Sequence, residues 1–328
     1  MTSVCNRHYQ SMKCAPTRLV LLLTVIPAVL LMACNKPDGS FAFIVIADTH
    51  FGENDSNGHR MAVFAESLLT VRDRVLPDSI DGDIASVRGL VLLGDITQDG
   101  LEEEWEAFLD VFGHFEKTGK GFSVYEGFGN HDGNVDGPVR NGIRERNPGR
   151  PGLKAVSANG LHYAWKWEDV HFLQLNLYPS SEWDPECGWC HYFHESFREP
   201  EESLDFLSAY LANHVRNSQE AVVIFFHYGW DDFSMLWWTD NERDLFYDAI
   251  KDYHVAGIFT GHRHMVNHFS WRGMDVWASG SPAKPPGEEE FLLVLVNGRK
   301  MTVIASRGGA WVQSWEKSLQ RPAYSTKD

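Results

Sequence analysis

The chain has 328 residues, of which 43% are hydrophobic and 23% charged, a balance that describes a globular protein able to bury a sizeable core. Its formal net charge of −16, without any basic cluster, excludes nucleic acid as an electrostatically captured partner, because phosphate backbones are held by Lys/Arg surfaces. An acidic protein that handled phosphates would need positive charge from another source, such as bound metal ions.

The first segment reads as an export leader. Lys13 and Arg18 precede an apolar run from Leu19 to Ala33, interrupted by Pro27, too short for a membrane span but of the length of a signal-peptide core. Leu31-Met32-Ala33-Cys34 resembles the lipobox of bacterial lipoproteins, in which the cysteine is lipidated and becomes the first residue; ordinary secretory cleavage nearby is the alternative. Residues 1–34 are therefore expected to be a leader, 35–40 a short linker, 41–317 one folded domain and 318–328 a tail. The expected location is the bacterial cell envelope, with a membrane anchor through Cys34.

Beyond the leader, apolar runs at 43–47, 90–93, 122–125, 170–177, 221–226 and 256–260 predict buried strands. Between them, Leu101, Trp105, Phe108, Leu109, Phe112 and Phe115 keep helical spacing, as do Leu204, Leu207, Leu211 and Val215. Thr239 and Glu242 form a capping-box pattern that predicts another helix start. Runs at 274–278, 291–296 and 301–305 follow without intervening helices. Alternating strands and helices, then strands alone, predict an α/β sandwich of two mixed sheets.

Several strands end on the same chemistry. Phe43–Ile46 leads to Asp48 and His50; the run at 90–93 leads to Gly94-Asp95; that at 122–125 to Gly129-Asn130-His131-Asp132; that at 221–226 to His227; and that at 256–260 to Gly261-His262-Arg263-His264. Asp, His and Asn at strand ends supply the oxygen and nitrogen donors that a pair of Mn, Fe or Zn ions takes, with no thiolate among them. The glycines before Asp95, Asn130 and His262 suggest tight turns.

The ordered set D-x-H, G-D, G-N-H-D, H and G-H-x-H resembles the calcineurin-like metallophosphoesterases, from Asp48 to His264. The resemblance implies a four-layer α/β/β/α sandwich and two divalent or trivalent transition metal ions. It implies Asp48, His50 and His264 on one ion, Asn130, His227 and His262 on the other, and Asp95 bridging both. His131 would be the catalytic histidine. The family often has an acid three residues after the bridging aspartate to orient that histidine; Gln98 stands there instead, which leaves Asp99 or Asp132 for the task. The implied activity is hydrolysis of a phosphate monoester or diester, on a small molecule or a lipid head group. The alternative is a catalytically silent surface-binding lipoprotein that keeps the fold.

Near His227, aromatic residues crowd one segment. Tyr228, Trp230 and Phe233 are candidates to wall a substrate pocket, and Trp237 and Trp238 are expected in the core. Cys187-Gly188-Trp189-Cys190-His191 fits a haem-attachment pattern, or the start of a zinc site with His194. An exported location favours a disulfide between Cys187 and Cys190, and no haem-sized apolar segment accompanies them. His59, His114, His162, His171, His214, His254 and His268 are expected to be surface or core residues.

Overall fold

The structure is a computed structural model, and it describes residues 39–54, 57–113, 115, 121–181, 183, 195–216 and 220–319. The leader, Cys34, His114, Cys187, Cys190, His191 and His194 lie outside these residues. In chain order the elements are β1 (Phe41–Ile46), α1 (Asn57–Leu69), β2 (Val87–Leu92), α2 (Glu102–Val111), β3 (Ser123–Glu126), α3 (Pro138–Arg146), β4 (Leu153–Val156), β5 (Tyr163–Trp167), β6 (Val170–Gln174), α4 (Glu195–Arg198), α5 (Ser203–His214), β7 (Ala221–Phe225), α6 (Asp240–Ile250), β8 (His254–Thr260), β9 (Asn267–Trp271), β10 (Met274–Ala278), β11 (Glu290–Asn297), β12 (Lys300–Arg307) and β13 (Ala310–Ser318).

The strands form two mixed sheets, a six-stranded one in the order β13-β12-β11-β1-β2-β3 and a seven-stranded one in the order β4-β5-β6-β7-β8-β10-β9. β1, β2 and β3 run parallel, as do β6, β7, β8 and β10, while the remaining pairs are antiparallel. Side chains alternate along β1: Phe41, Phe43 and Val45 enter one apolar cluster, Ala42, Ile44 and Ile46 the other. The first cluster joins the sheets, with Phe43 5.4 Å from Phe172 and Tyr125 stacked 4.4 Å from Trp165. The second takes in helical residues such as Met61, Phe108 and Leu207, so both faces of β1 are covered. This is why β1 reads as an unbroken apolar run rather than an alternating one. Among the described residues no helix is long and apolar enough to cross a membrane.

The capping box of α6 forms, with the Glu242 carboxylate accepting from Thr239 N at 2.7 Å and Glu242 N donating to Thr239 Oγ1 at 3.4 Å. The helix predicted from Leu101 to Phe115 is shorter and closes at Val111. Four strands and two long helices carry no clear run in the sequence: β4, β5, β9 and β13, with α1 and α3. β9 and β13 lie at sheet edges and are largely exposed, so their apolar content is low. α3 packs Val139 and Ile143 inward along with Arg140, a polar residue in the position of an apolar one.

Candidate metal centre

The five motif-bearing segments emerge at the same ends of parallel strands, β1, β2 and β3 in one sheet and β7 and β8 in the other. Main-chain bonds prolong the ladder beyond the strands: Asp48 N donates to Gly94 O at 3.0 Å and His50 N to Asp95 O at 3.1 Å. Between the sheets, Gln174 Nε2 donates to Leu92 O at 2.9 Å and Ser279 Oγ to Val45 O at 3.1 Å. The rim is thus stitched across both layers, a rigid platform of the kind on which open sheets carry their sites.

Asp48, His50, Asp95, His262 and His264 all have positive φ, between 45° and 69°. Left-handed backbone is costly for residues with a Cβ and persists where the surroundings enforce it, as at functional sites. Here it turns successive side chains toward one point. Gly94 also has positive φ, at 115°, as a tight turn requires. The other two glycines answer a different need, because their backbone is ordinary and space is short. A Cβ on Gly129 would lie 2.4 Å from Asp95 Oδ1, and one on Gly261 would lie 2.8 Å from the Ala47 Cβ.

The donor atoms gather in two groups that share Asp95. Asp48, His50, Asp95 and His264 offer ligand atoms within 4.8 Å of one another, and so do Asp95, His227 and His262. In the first, His50 Nε2 lies 3.0 Å from His264 Nε2 and 3.9 Å from Asp95 Oδ2, and His264 Nε2 lies 3.4 Å from Asp48 Oδ1. In the second, His227 Nε2 lies 3.2 Å from Asp95 Oδ2 and 3.1 Å from Asn130 Oδ1, which adds Asn130 to that group.

Charge follows the same geometry. Burial pushes the Asp95 carboxyl up, but His227, and then His50 and His131, outweigh it and hold Asp95 well below the usual carboxylate range. Burial pulls His227 down, yet Asp95 foremost lifts it to about 9. Burial, and then the neighbouring His227, push His262 down to about 4, and burial lowers His50. Asp95 thus demands a positive neighbour, while His50 and His262 favour the neutral imidazole that a metal ion binds.

The donor set fits metal ions. Asp48 Oδ2 is buried without a hydrogen-bond partner, a loss of roughly 1–3 kcal/mol for a polar atom unless a cation meets it. Two imidazole nitrogens at 3.0 Å, two carboxylates and an amide oxygen offer N and O donors to borderline ions.

His131 stands beside these groups. Its main-chain N–H donates to Asp95 Oδ1 at 2.9 Å, its ring lies 4.8 Å from the His50 ring, and its Nδ1 lies 2.7 Å from Gln98 O. The carbonyl only accepts, so Nδ1 carries the proton. The orienting partner is therefore the main chain of Gln98, and the expectation of Asp99 or Asp132 is corrected. The Asp132 carboxylate is occupied elsewhere, accepting from Ile96 N, Thr97 N, Thr97 Oγ1 and Gly129 N. It ties the loop after β2 to the loop after β3. Burial, and then the charge of Asp95, push the Asp132 carboxyl up to about 6 against those donors.

The three aromatic residues expected around a pocket separate. The Phe233 ring lies 4.9 Å from the His262 ring and is partly exposed. Tyr228 is fully buried, edge-on to His262 at 5.1 Å, with its hydroxyl donating to Phe197 O at 3.1 Å, so it backs the histidine. Trp230 packs against Trp271 at 4.7 Å, Trp238 at 5.0 Å and Phe269 at 5.6 Å, where large rings bury more of its surface than a polar rim would. Trp237 and Trp238 are buried, as expected. His162, His171 and His254 are also buried.

Two residues that no motif singles out support the site. Asn176, just beyond β6 with φ 62°, receives His227 N on its carbonyl at 2.6 Å and Phe128 N on its Oδ1 at 3.2 Å. Its Nδ2 donates to Leu161 O at 3.1 Å and to His162 Nδ1 at 2.9 Å. Asp231 Oδ1 lies 3.9 Å from His262 Nε2 and also accepts from Phe233 N and Ser234 N. An Asn after a buried strand is the one weak signal for the first, since Asn tolerates left-handed backbone.

The family model of the calcineurin-like phosphoesterases matches residues 41–266. Among solved structures, GAP50, the anchor in the inner membrane complex of Plasmodium, aligns with a TM-score of 0.56 at 12% identity, over 86% of this chain and 90% of its own. Phosphopantetheinyl hydrolase from Mycobacterium tuberculosis aligns with a TM-score of 0.42 at 15% identity, over 74% of this chain and 91% of its own. Vps29 from Entamoeba histolytica, complexed with zinc, aligns with a TM-score of 0.36 at 11% identity, over 85% of this chain and 100% of its own. No curated protein sequence matches significantly. With its family model spanning every strand end that carries a donor, the chain belongs to the calcineurin-like phosphoesterases.

Proposed function

We propose that the chain hydrolyses phosphate esters at a centre of two metal ions. The observation that carries this is the sharing of Asp95 between two donor groups. Asp48, His50 and His264 would hold one ion and Asn130, His227 and His262 the other, and Asp95, whose Oδ2 faces both His50 and His227, would be shared between them. When bound, such a pair supplies Lewis acidity, clamping the phosphoryl oxygens and activating water at neutral pH. His227, which Asp95 keeps protonated, would give up that proton to an ion, so that neutral His and Asn would complete the donor sets without cancelling the ions' charge.

His131 would hold and move the proton. With Nδ1 committed to Gln98 O, Nε2 is the ring atom left to give a proton to the departing alkoxide oxygen. The bond from His131 N to Asp95 Oδ1 keeps the imidazole in register with the donor groups. Tyr228 and Asp231 hold the His262 side of the site in place.

The test is metal analysis of purified protein after loading with Mn, Fe or Zn, followed by turnover of 4-nitrophenyl phosphate, bis(4-nitrophenyl) phosphate, nucleotides and phosphoinositide head groups. Two ions per chain with turnover of at least one ester is the expected result. Tight metal retention without turnover of any ester would support the silent binding lipoprotein instead.

We also propose export to the bacterial cell envelope with lipidation at Cys34. Fractionation tests this, as Cys34→Ser should move the protein from membranes to the soluble fraction. A disulfide between Cys187 and Cys190 is part of the same proposal. Free thiols at both positions in the unreduced exported protein would contradict it.

A further inference from the structure

Among the described residues nine large apolar side chains are exposed: Val63, Val75, Leu101, Phe233, Met235, Leu236, Leu245, Met265 and Val312. Five of them lie on three connections, between β2 and α2, β7 and α6, and β8 and β9. These same connections carry Asp95, His227, His262 and His264. Leu101 follows Gln98, whose carbonyl holds His131, by three residues, and Met265 directly follows His264.

Phe233, whose ring lies 4.9 Å from the His262 ring, is held in place. Asp231 accepts from Phe233 N at 3.1 Å, Ser234 N at 3.0 Å and Ser234 Oγ at 2.7 Å, closing the turn that opens the short 3-10 helix Ser234–Leu236. On one side of this segment Ser234, Trp237 and Trp238 are buried. On the other, Phe233, Met235 and Leu236 are 36%, 44% and 42% exposed, and Met265 is 47% exposed. A sugar phosphate would gain little from such a margin, and a nucleotide could use only the Phe233 ring, by stacking its base there. An alkyl or acyl chain would cover the margin, and methionine adapts to flexible apolar ligands.

We infer that the phosphate ester is an amphiphile, its phosphate at the shared donor groups and its apolar chain lying over Phe233, Met235, Leu236 and Met265. This rests on the phosphoesterase reading and narrows the substrate class. The chain would contribute through burial, each fully covered methylene strengthening binding by up to about 4-fold.

Calorimetric titration of manganese-loaded protein with methyl-, butyl- and octylphosphonate, each below its micelle concentration, tests the inference by binding alone. Affinity is expected to rise roughly 2- to 4-fold per added methylene over the first carbons. The triple variant Phe233→Ser/Leu236→Ser/Met265→Ser, with folding checked by circular dichroism, should flatten this slope, whereas Val63→Ser should keep it. Equal affinity of the wild type for methyl- and octylphosphonate would overturn the amphiphile while leaving the phosphoesterase reading standing. A slope that survives in the folded triple variant would also overturn it, and failure of every phosphonate to bind would remove the metal-centre reading and this inference together.

Discussion

Asp95 and His131 are joined by a main-chain bond, His131 N donating to Asp95 Oδ1 at 2.9 Å, while Asp95 Oδ2 faces His227 Nε2 at 3.2 Å. One carboxylate therefore fixes the proposed proton donor and stands between two donor groups. Asp95→Asn keeps the shape but replaces one oxygen by an NH2 that repels cations. Metal affinity should fall by more than the roughly 10–100-fold that loss of an outer partner costs, with turnover lost in parallel. Competition with a chelator measures this, and two ions retained at wild-type affinity would contradict the bridging role.

His131→Ala should separate metal binding from chemistry. Metal content should stay near wild type while turnover slows by roughly 10²- to 10⁴-fold on alkyl esters, whose leaving groups need a proton. The loss should be smaller on nitrophenyl esters, which leave as stable anions. An equal loss on both would count against leaving-group protonation. Because Gln98 acts through its carbonyl, Gln98→Ala should leave the rate within about 3-fold of wild type, below the smallest acid-base effect.

Asn176 supports two donor segments at once, through His227 N and Phe128 N. Asn176→Ala leaves the buried Phe128 N–H unpaired and places Ala in left-handed backbone. Stability should drop by roughly 1–3 kcal/mol. Affinity for the ion held by Asn130, His227 and His262 should weaken by roughly 10- to 100-fold. Denaturant unfolding and metal titration read the two effects, and unchanged affinity would show that the segments hold their positions without it.

Glu126, at the end of β3, is buried with Arg150 Nη1 2.7 Å from its Oε2 and Arg146 on its Oε1. Burial raises its carboxyl, but Arg150 and then Arg146 outweigh that and hold it at about 2, against an ordinary value of 4.5. A folded value below the unfolded one stabilises above pH 4.5, and that contribution is lost as pH falls from 4.5 toward about 2. The loss is on the order of 3 kcal/mol. Glu126→Gln should cost about 3–5 kcal/mol at neutral pH, by leaving Arg150 buried beside a neutral amide. Its stability should fall less than that of the wild type between pH 5 and pH 3. Urea unfolding of both proteins in chelator checks this, and parallel acid profiles would refute the assignment.

That Asp48, His50, Asp95, Asn130, His227, His262 and His264 would gather was legible in the sequence because each closes an apolar run or a glycine turn, signals carried by local residue order. The same local order showed the core strands and the capped start of α6. Tertiary structure alone decided that Gln98 orients His131, since a carbonyl belongs to every residue and its direction depends on how two loops meet. It also decided that Asp132 ties those loops, that Trp230 joins Trp238 and Trp271, and that Asn176 supports His227 from the next strand. Edge strands β9 and β13 escaped for a related reason: an edge is defined by its neighbours across a sheet, and burial on one side only leaves little hydrophobic pattern in the chain itself.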